Sequence, residues 1–163
     1  MEFTVKEQEH EDWPAVWSIL EPVFREGLTY PLPRDVDEAD ARTYWIKQDG
    51  YNGVARDGEG VVVGVYYLRP DQGGPGGHVC NAGYVIADTA RGRGLATPLC
   101  LQSQEQARAM GFRAMVFNLV VADNAAAIRA WTRAGMEIIG TKPGAFRLPD
   151  GRYADAHVMW KAL

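Results

Sequence analysis

The chain is poor in the residues that build redox and metal sites. Only Cys80 and Cys100 occur among 163 residues, with no CxxC pair and no Cys/His spacing of a zinc site. Both stand in apolar surroundings and read as small buried hydrophobes rather than a disulfide. No apolar run approaches the roughly 20 residues of a membrane span. Basic charge is not in excess either: 17 Lys+Arg face 21 Asp+Glu, for a net charge of −4. That balance argues against a protein that wraps nucleic acid phosphates. The acidic start, Met-Glu-Phe-Thr-Val-Lys-Glu, has no apolar core of a secretion signal, so the expected location is the cytoplasm. What is plentiful is glycine: 18 residues, about 11% against a usual ~7%.

The length fits one domain, spanning 1–163. Phe3–Lys6 alternates as a first strand. Asp12 can cap a helix with Pro14 in its first turn and Gly27 at its end, and Pro22 should kink or split it. Asp35–Gln48 repeats the helical pattern, with Tyr44 and Trp45 as anchors and Gly50 as a stop. Tyr51–Arg56 and Val61–Leu68 form a hairpin around Asp57-Gly-Glu-Gly60. The Gly/Pro-rich stretch 69–77 leads to a strand at 78–87, in which Gly83 marks a bulge. A helix at 95–110, a strand at 114–122, a helix at 124–134, a short strand at 137–140 and a last strand at 153–161 complete the chain. The order βααβββαβαββ predicts a mixed, largely antiparallel α/β sheet with helices on both faces.

The segment Tyr84-Val-Ile-Ala-Asp-Thr-Ala-Arg-Gly-Arg-Gly-Leu-Ala96 runs from a strand through a tight loop into a helix. Free N–H groups at a helix start bind anions, glycines let an anion approach the backbone, and Arg91 and Arg93 add charge; a diphosphate fits these demands. No Lys follows the glycines as in a P-loop, and no third glycine stands where a dinucleotide fold needs one.

Arg91-Gly-Arg-Gly-Leu-Ala96 resembles the Arg/Gln-x-x-Gly-x-Gly/Ala signature of the GNAT superfamily of acyl-CoA-dependent N-acetyltransferases. Asn124-Ala-Ala-Ala-Ile-Arg-Ala-Trp-Thr-Arg-Ala-Gly-Met136 is similar to a second motif of that superfamily, and the element order looks like its fold. The resemblance implies acetyl-CoA as cosubstrate, with no metal. The backbone around Ile86 and Ala87 is expected to hold the pantetheine arm as an added strand. The amides of Gly92, Arg93, Gly94, Leu95 and Ala96 are expected to hold the diphosphate, with Arg91 nearby. Asn124 is expected to bond the CoA arm, a role compatible with capping its own helix. Trp131 stands where many members carry a Tyr that protonates the departing thiolate. An indole N–H is no usable acid, so Trp131 is expected to pack against CoA, with solvent protonating the thiolate.

Asn81 and Asn118 lie in apolar strands, where a buried amide costs ~1–3 kcal/mol unless bonded. Cys80-Asn-Ala-Gly-Tyr84, Phe117-Asn-Leu-Val120 and Ile139-Gly-Thr-Lys-Pro-Gly144 resemble segments of the azetidine-2-carboxylate (proline-analogue) N-acetyltransferases. That likeness implies that Asn81 and Asn118 belong to the catalytic site. An Asn can orient an amine or a water but cannot act as base. His78, Tyr84, Asp155 and His157 are the base candidates, and an N–H near Ile86 is the natural oxyanion donor. Glu26, Tyr30, Arg34, Tyr44 and Trp45 fall where this fold builds its acceptor pocket, and Arg34 or Arg56 is the cation for an amino-acid carboxylate. The expected function is transfer of acetyl to a small-molecule amine, with an amino acid or proline analogue foremost. The alternatives are a peptide or protein amino-terminal acetyltransferase, or a non-catalytic acyl-CoA-binding module. No nucleic acid or membrane partner is expected, and edge pairing into a homodimer is the remaining partner expectation.

Overall fold

The computed structural model describes residues 2–163. Seven strands form one sheet in the order β1-β2-β3-β4-β5-β7-β6. They are β1 (Thr4–Glu7), β2 (Tyr51–Arg56), β3 (Val62–Pro70), β4 (Val79–Ile86), β5 (Ala114–Val121), β6 (Glu137–Arg147) and β7 (Tyr153–Ala162). Among the described residues only β4 and β5 pair in parallel; every other neighbouring pair is antiparallel. Helices α1 (Trp13–Glu26) and α2 (Glu38–Trp45) cover one face, and α3 (Ala96–Ala109) and α4 (Ala125–Arg133) the other.

The faces follow from side-chain spacing. Trp13, Val16, Leu20, Val23 and Phe24 recur at helical intervals and are buried against β2–β4. Each fully buried side chain of this kind contributes about 1.5–3 kcal/mol. Gly27, at φ 69°, turns the chain out of α1 in the left-handed conformation that glycine adopts without a Cβ clash. The helix runs unbroken through Pro22, which does not split it. Pro22 and Ser18 are both exposed, so the Ser18 carbonyl that loses its N–H partner lies on the wet side. Helix α2 is shorter than its apolar pattern predicts. Asp37, not Asp35, caps it by accepting the Asp40 N–H at 2.8 Å. Its last carbonyl, that of Trp45, takes the side-chain amide of buried Asn52 at 3.0 Å, which closes the helix well before Gly50.

Strand β6 is the largest departure: eleven residues rather than four. Pro143 and Gly144 read as breakers, yet β6 is a sheet edge, where a proline costs no ladder bond. The register shifts between Lys142 and Phe146, Gly144 sits at φ 57°, and its N–H donates to Asp155 at 2.8 Å. The segment is a bulge within one strand. Gly83, by contrast, makes no bulge: β3 and β4 keep continuous register from Gly64–Ile86 to Pro70–Cys80. A Cβ there would lie 2.5 Å from Tyr67 Cε1 and 2.9 Å from the Tyr30 hydroxyl, so Gly83 makes room for two aromatic side chains.

Candidate functional site: a cleft where two parallel strands part

Strands β4 and β5 pair over only three residues, Val79–Asn81 against Ala114–Val116. Beyond Asn81, β4 stays with β3 while β5 follows β7. The gap between them opens a cleft of about 1210 Å³, lined by side chains from both faces of the sheet.

The backbone facing this gap has unmatched groups. The Ala87 N–H donates to Val63 at 3.0 Å, and the Val79 carbonyl accepts from Asp71 at 2.9 Å. Odd-numbered residues of β4 therefore turn their backbone to β3, and even-numbered ones turn it to the gap. The Tyr84 carbonyl accepts the Tyr30 hydroxyl at 3.0 Å, which agrees with that alternation. The N–H groups of Tyr84 and Ile86 point the same way, with no strand to receive them. Ile86 lines the cleft. Ala87 does not: its N–H is held by Val63 and its carbonyl by Ala90.

The loop after β4 makes one turn of 3-10 helix (Asp88–Ala90) and then enters α3. Gly92 and Gly94 take φ 73° and 78°, and a Cβ on either would meet nothing within 4 Å. Backbone conformation, not crowding, is what requires glycine there. Among the described residues, the N–H groups of Gly92, Gly94, Leu95, Ala96 and Thr97 meet no protein acceptor, and no side chain caps α3. These orphan donors at a helix start fit a phosphate anion. Arg91 lines the cleft, though Asp88 (3.0 Å) and Glu26 (3.9 Å) share its charge. Arg93 is exposed and does not line it. Asn124 accepts the Ala127 N–H at 3.2 Å, so it caps α4 while lining the cleft. Trp131 lies 4.8 Å from the Tyr84 ring and 5.6 Å from Phe117, forming an aromatic wall. Arg129 and Arg133, one helical turn apart, add cations to this rim; their spacing inside the second motif was the available signal.

On the α1/α2 side, Tyr30, Tyr44, Tyr67 and Arg69 line the cleft together with Asn81. Asn81 donates to the Val116 carbonyl at 3.0 Å and accepts the Tyr67 hydroxyl at 3.2 Å, tying the strands together at the point where they part. Asn118 also lines the cleft, but it is exposed rather than buried. The β5 register shift between Phe117 and Val120 turns it outward, where its amide donates to Asp71. Trp45 is fully buried behind Tyr67.

None of the four base candidates offers a free group to this space. The Tyr84 hydroxyl bonds Ser103 at 2.7 Å, and burial raises its pKa well above the ordinary tyrosine value. His157 bonds Thr141 at 2.8 Å, Asp155 holds the β6 bulge, and His78 is exposed outside the cleft. Arg34 bonds the Arg25 carbonyl and borders a separate recess; Arg56 is paired with Asp12 at the far edge of the sheet. The arginine that lines the cleft on the α1/α2 side is Arg69 instead. Among the described residues no helix is long and apolar enough to cross a membrane.

Many solved structures share the fold of this chain. The model of the acetyltransferase (GNAT) family matches residues 13–136, and the chain belongs to that family. The structure of a GCN5-related N-acetyltransferase from Kribbella flavida superposes with a TM-score of 0.92 at 35% identity, covering 99% of this chain and 98% of that one. A ribosomal-protein-alanine N-acetyltransferase from Brucella melitensis follows at 25% identity and a TM-score of 0.86, covering 98% and 99%. A phosphinothricin acetyltransferase from Sinorhizobium meliloti in complex with AcCoA shares the fold at 20% identity and a TM-score of 0.88, covering 100% and 89%. N-acetyltransferase aca1 of Schizosaccharomyces pombe is 33% identical over 98 residues, which span 60% of this chain and 47% of that protein. The chain thus aligns with about half the length of that curated relative.

Proposed function

We propose that residues 1–163 form one acetyl-CoA-dependent N-acetyltransferase domain acting on the amine of a small molecule, with an amino acid or proline analogue as acceptor. The parting of β4 and β5 beside five unpaired amides carries this reading. It is supported by the family and by the acetyl-CoA in the complex of the Sinorhizobium relative.

In this reading Gly92, Gly94, Leu95 and Ala96 hold the diphosphate, with Arg91 and Arg93 adding charge around them. Ile86 pairs with the pantetheine arm, Asn124 bonds it and Trp131 packs against it. Acetyl-CoA supplies an acetyl thioester. The amine nitrogen attacks that carbonyl, a C–N bond forms, and the C–S bond breaks. The amine gives up a proton and CoA leaves as thiolate, to be protonated by solvent. The Ile86 N–H faces the gap and is the oxyanion donor. Asn81 and Asn118 orient the acceptor.

With none of His78, Tyr84, Asp155 and His157 free in the gap, the acceptor enters as the neutral amine, its proton lost to water. Buried free thiols at Cys80 and Cys100 support a cytoplasmic setting, and exposed Ile138 and Ile139 on edge strand β6 support a homodimer. The second reading, acetylation of a peptide amino terminus, is favoured by the likeness to the Brucella protein. Acetyl-CoA with matched free amino acids and short peptides, followed as released thiol, separates the two: free amino acids are expected to turn over faster.

A further inference from the structure

Arg69 is an unneutralised cation set among aromatic rings. It projects from β3 directly across from Asn81, its register partner on β4. Its guanidinium lies 4.1 Å from the centre of the Tyr67 ring and 5.0 Å from that of Tyr44, and one nitrogen donates to the Tyr44 carbonyl at 2.7 Å. Among the described residues no carboxylate comes within ion-pair distance of it. One backbone bond leaves most of its donor fork free, and it is half-buried where the cleft meets α2.

We infer that Arg69 is the carboxylate-binding residue of the acceptor site, so that the acceptor is an amine that also carries a carboxylate. Stacking on Tyr67 and the bond to Tyr44 fix the plane of the guanidinium before any acceptor arrives. A preorganised planar fork suits the two oxygens of a carboxylate better than a point charge does. Asn81, across the strand pair, lies on the same face of the sheet, between Arg69 and the gap where β4 and β5 part. An α-amino acid anchored by its carboxylate at Arg69 thus presents its nitrogen toward the gap, with its side chain on the rings of Tyr30 and Tyr67. This inference rests on the acetyl-transfer reading of the same cleft.

The test compares amino acids, each beside its own amide and its decarboxylated amine, with acetyl-CoA and wild-type, Arg69→Met and Arg69→Lys protein. CoA binding serves as the control for folding. Wild type is expected to favour the acid over the amide by about ten- to a hundredfold in kcat/KM. Arg69→Met collapses that ratio toward one, chiefly through KM for the acid, and Arg69→Lys retains part of it. A purely structural Arg69 would lower acid and amide alike and keep the ratio, which overturns the assignment. Equal turnover of acid and amide by wild type overturns it too. If no amine is acetylated while CoA binds, the acetyl-transfer reading falls and this inference falls with it.

Discussion

Gly83→Ala is the sharpest perturbation of the acceptor half. The new methyl would sit 2.5 and 2.7 Å from two carbons of the Tyr67 ring and 2.9 Å from the Tyr30 hydroxyl. The Tyr67 ring has little room to move: Trp45 meets it edge-on at 4.9 Å, and the Arg69 guanidinium lies over it at 4.1 Å. Overpacking of this kind costs about 1–3 kcal/mol. For a chain of this size each kcal/mol lowers Tm by about 2–4 °C, so the expected drop is roughly 2–12 °C. Because the two shortest of these contacts are with Tyr67, Tyr67→Leu should relieve most of the clash. The double variant is expected to be more stable than the sum of the single changes by about 0.5–3 kcal/mol. Thermal unfolding of the four proteins measures the coupling. In parallel, KM for the acceptor is expected to rise while CoA affinity holds, since the loop proposed to hold the diphosphate opens α3 on the other face. An unchanged Tm together with an unchanged acceptor KM would refute the placement of Tyr67 and Tyr30 over Gly83.

Arg91→Ala is expected to weaken CoA binding by only a few-fold by calorimetry, because Asp88 and Glu26 already share that charge and exposed ion pairs contribute about 1 kcal/mol or less. Gly94→Val is expected to weaken it much more, by forcing a branched side chain into φ 78° and turning it into the anion's space. Burial pushes the Cys80 thiol up to about 12 and the Cys100 thiol up to about 11, so native protein should give almost no signal with a disulfide reagent near neutral pH, and two thiols once unfolded. With Tyr84 held protonated by burial and His78, Asp155 and His157 engaged or exposed elsewhere, kcat/KM should rise about tenfold per pH unit below the acceptor amine's own pKa; a plateau at a lower pKa would reveal an enzyme base, for which Glu26 and Asp123 line the cleft.

Those elements whose residues carry a local physical signal were readable from sequence. The glycine loop at 92–94 needs left-handed backbone, and α1 needs its apolar stripe; both are plain in the order of residues. Strand β6 was hidden because an edge strand exposed on nearly every residue shows no alternation and tolerates Pro143 and Gly144. The site was half legible. Motifs marked the loop, Asn124 and Trp131, because backbone geometry there depends on neighbours in sequence. Arg69 carries no such mark: its place in the cleft depends on β3 lying beside β4 and on α2 closing over it. The same holds for Tyr84, which alternation alone offers to the cleft but whose hydroxyl the fold buries against Ser103. Asn118 looked buried by its apolar neighbours until a register shift turned it outward.

In the proposed function, the gap between β4 and β5 is where an acetyl group passes from CoA to an amine. Protein incubated with acetyl-CoA and a panel of amino acids, with released thiol and N-acetylated product quantified together, tests it most directly. Thiol and N-acetyl product are expected in equal amounts, formed only when an amine is present and lost in a Gly94→Val protein that remains folded. Tight CoA binding with no amine-dependent thiol release across the panel would contradict it.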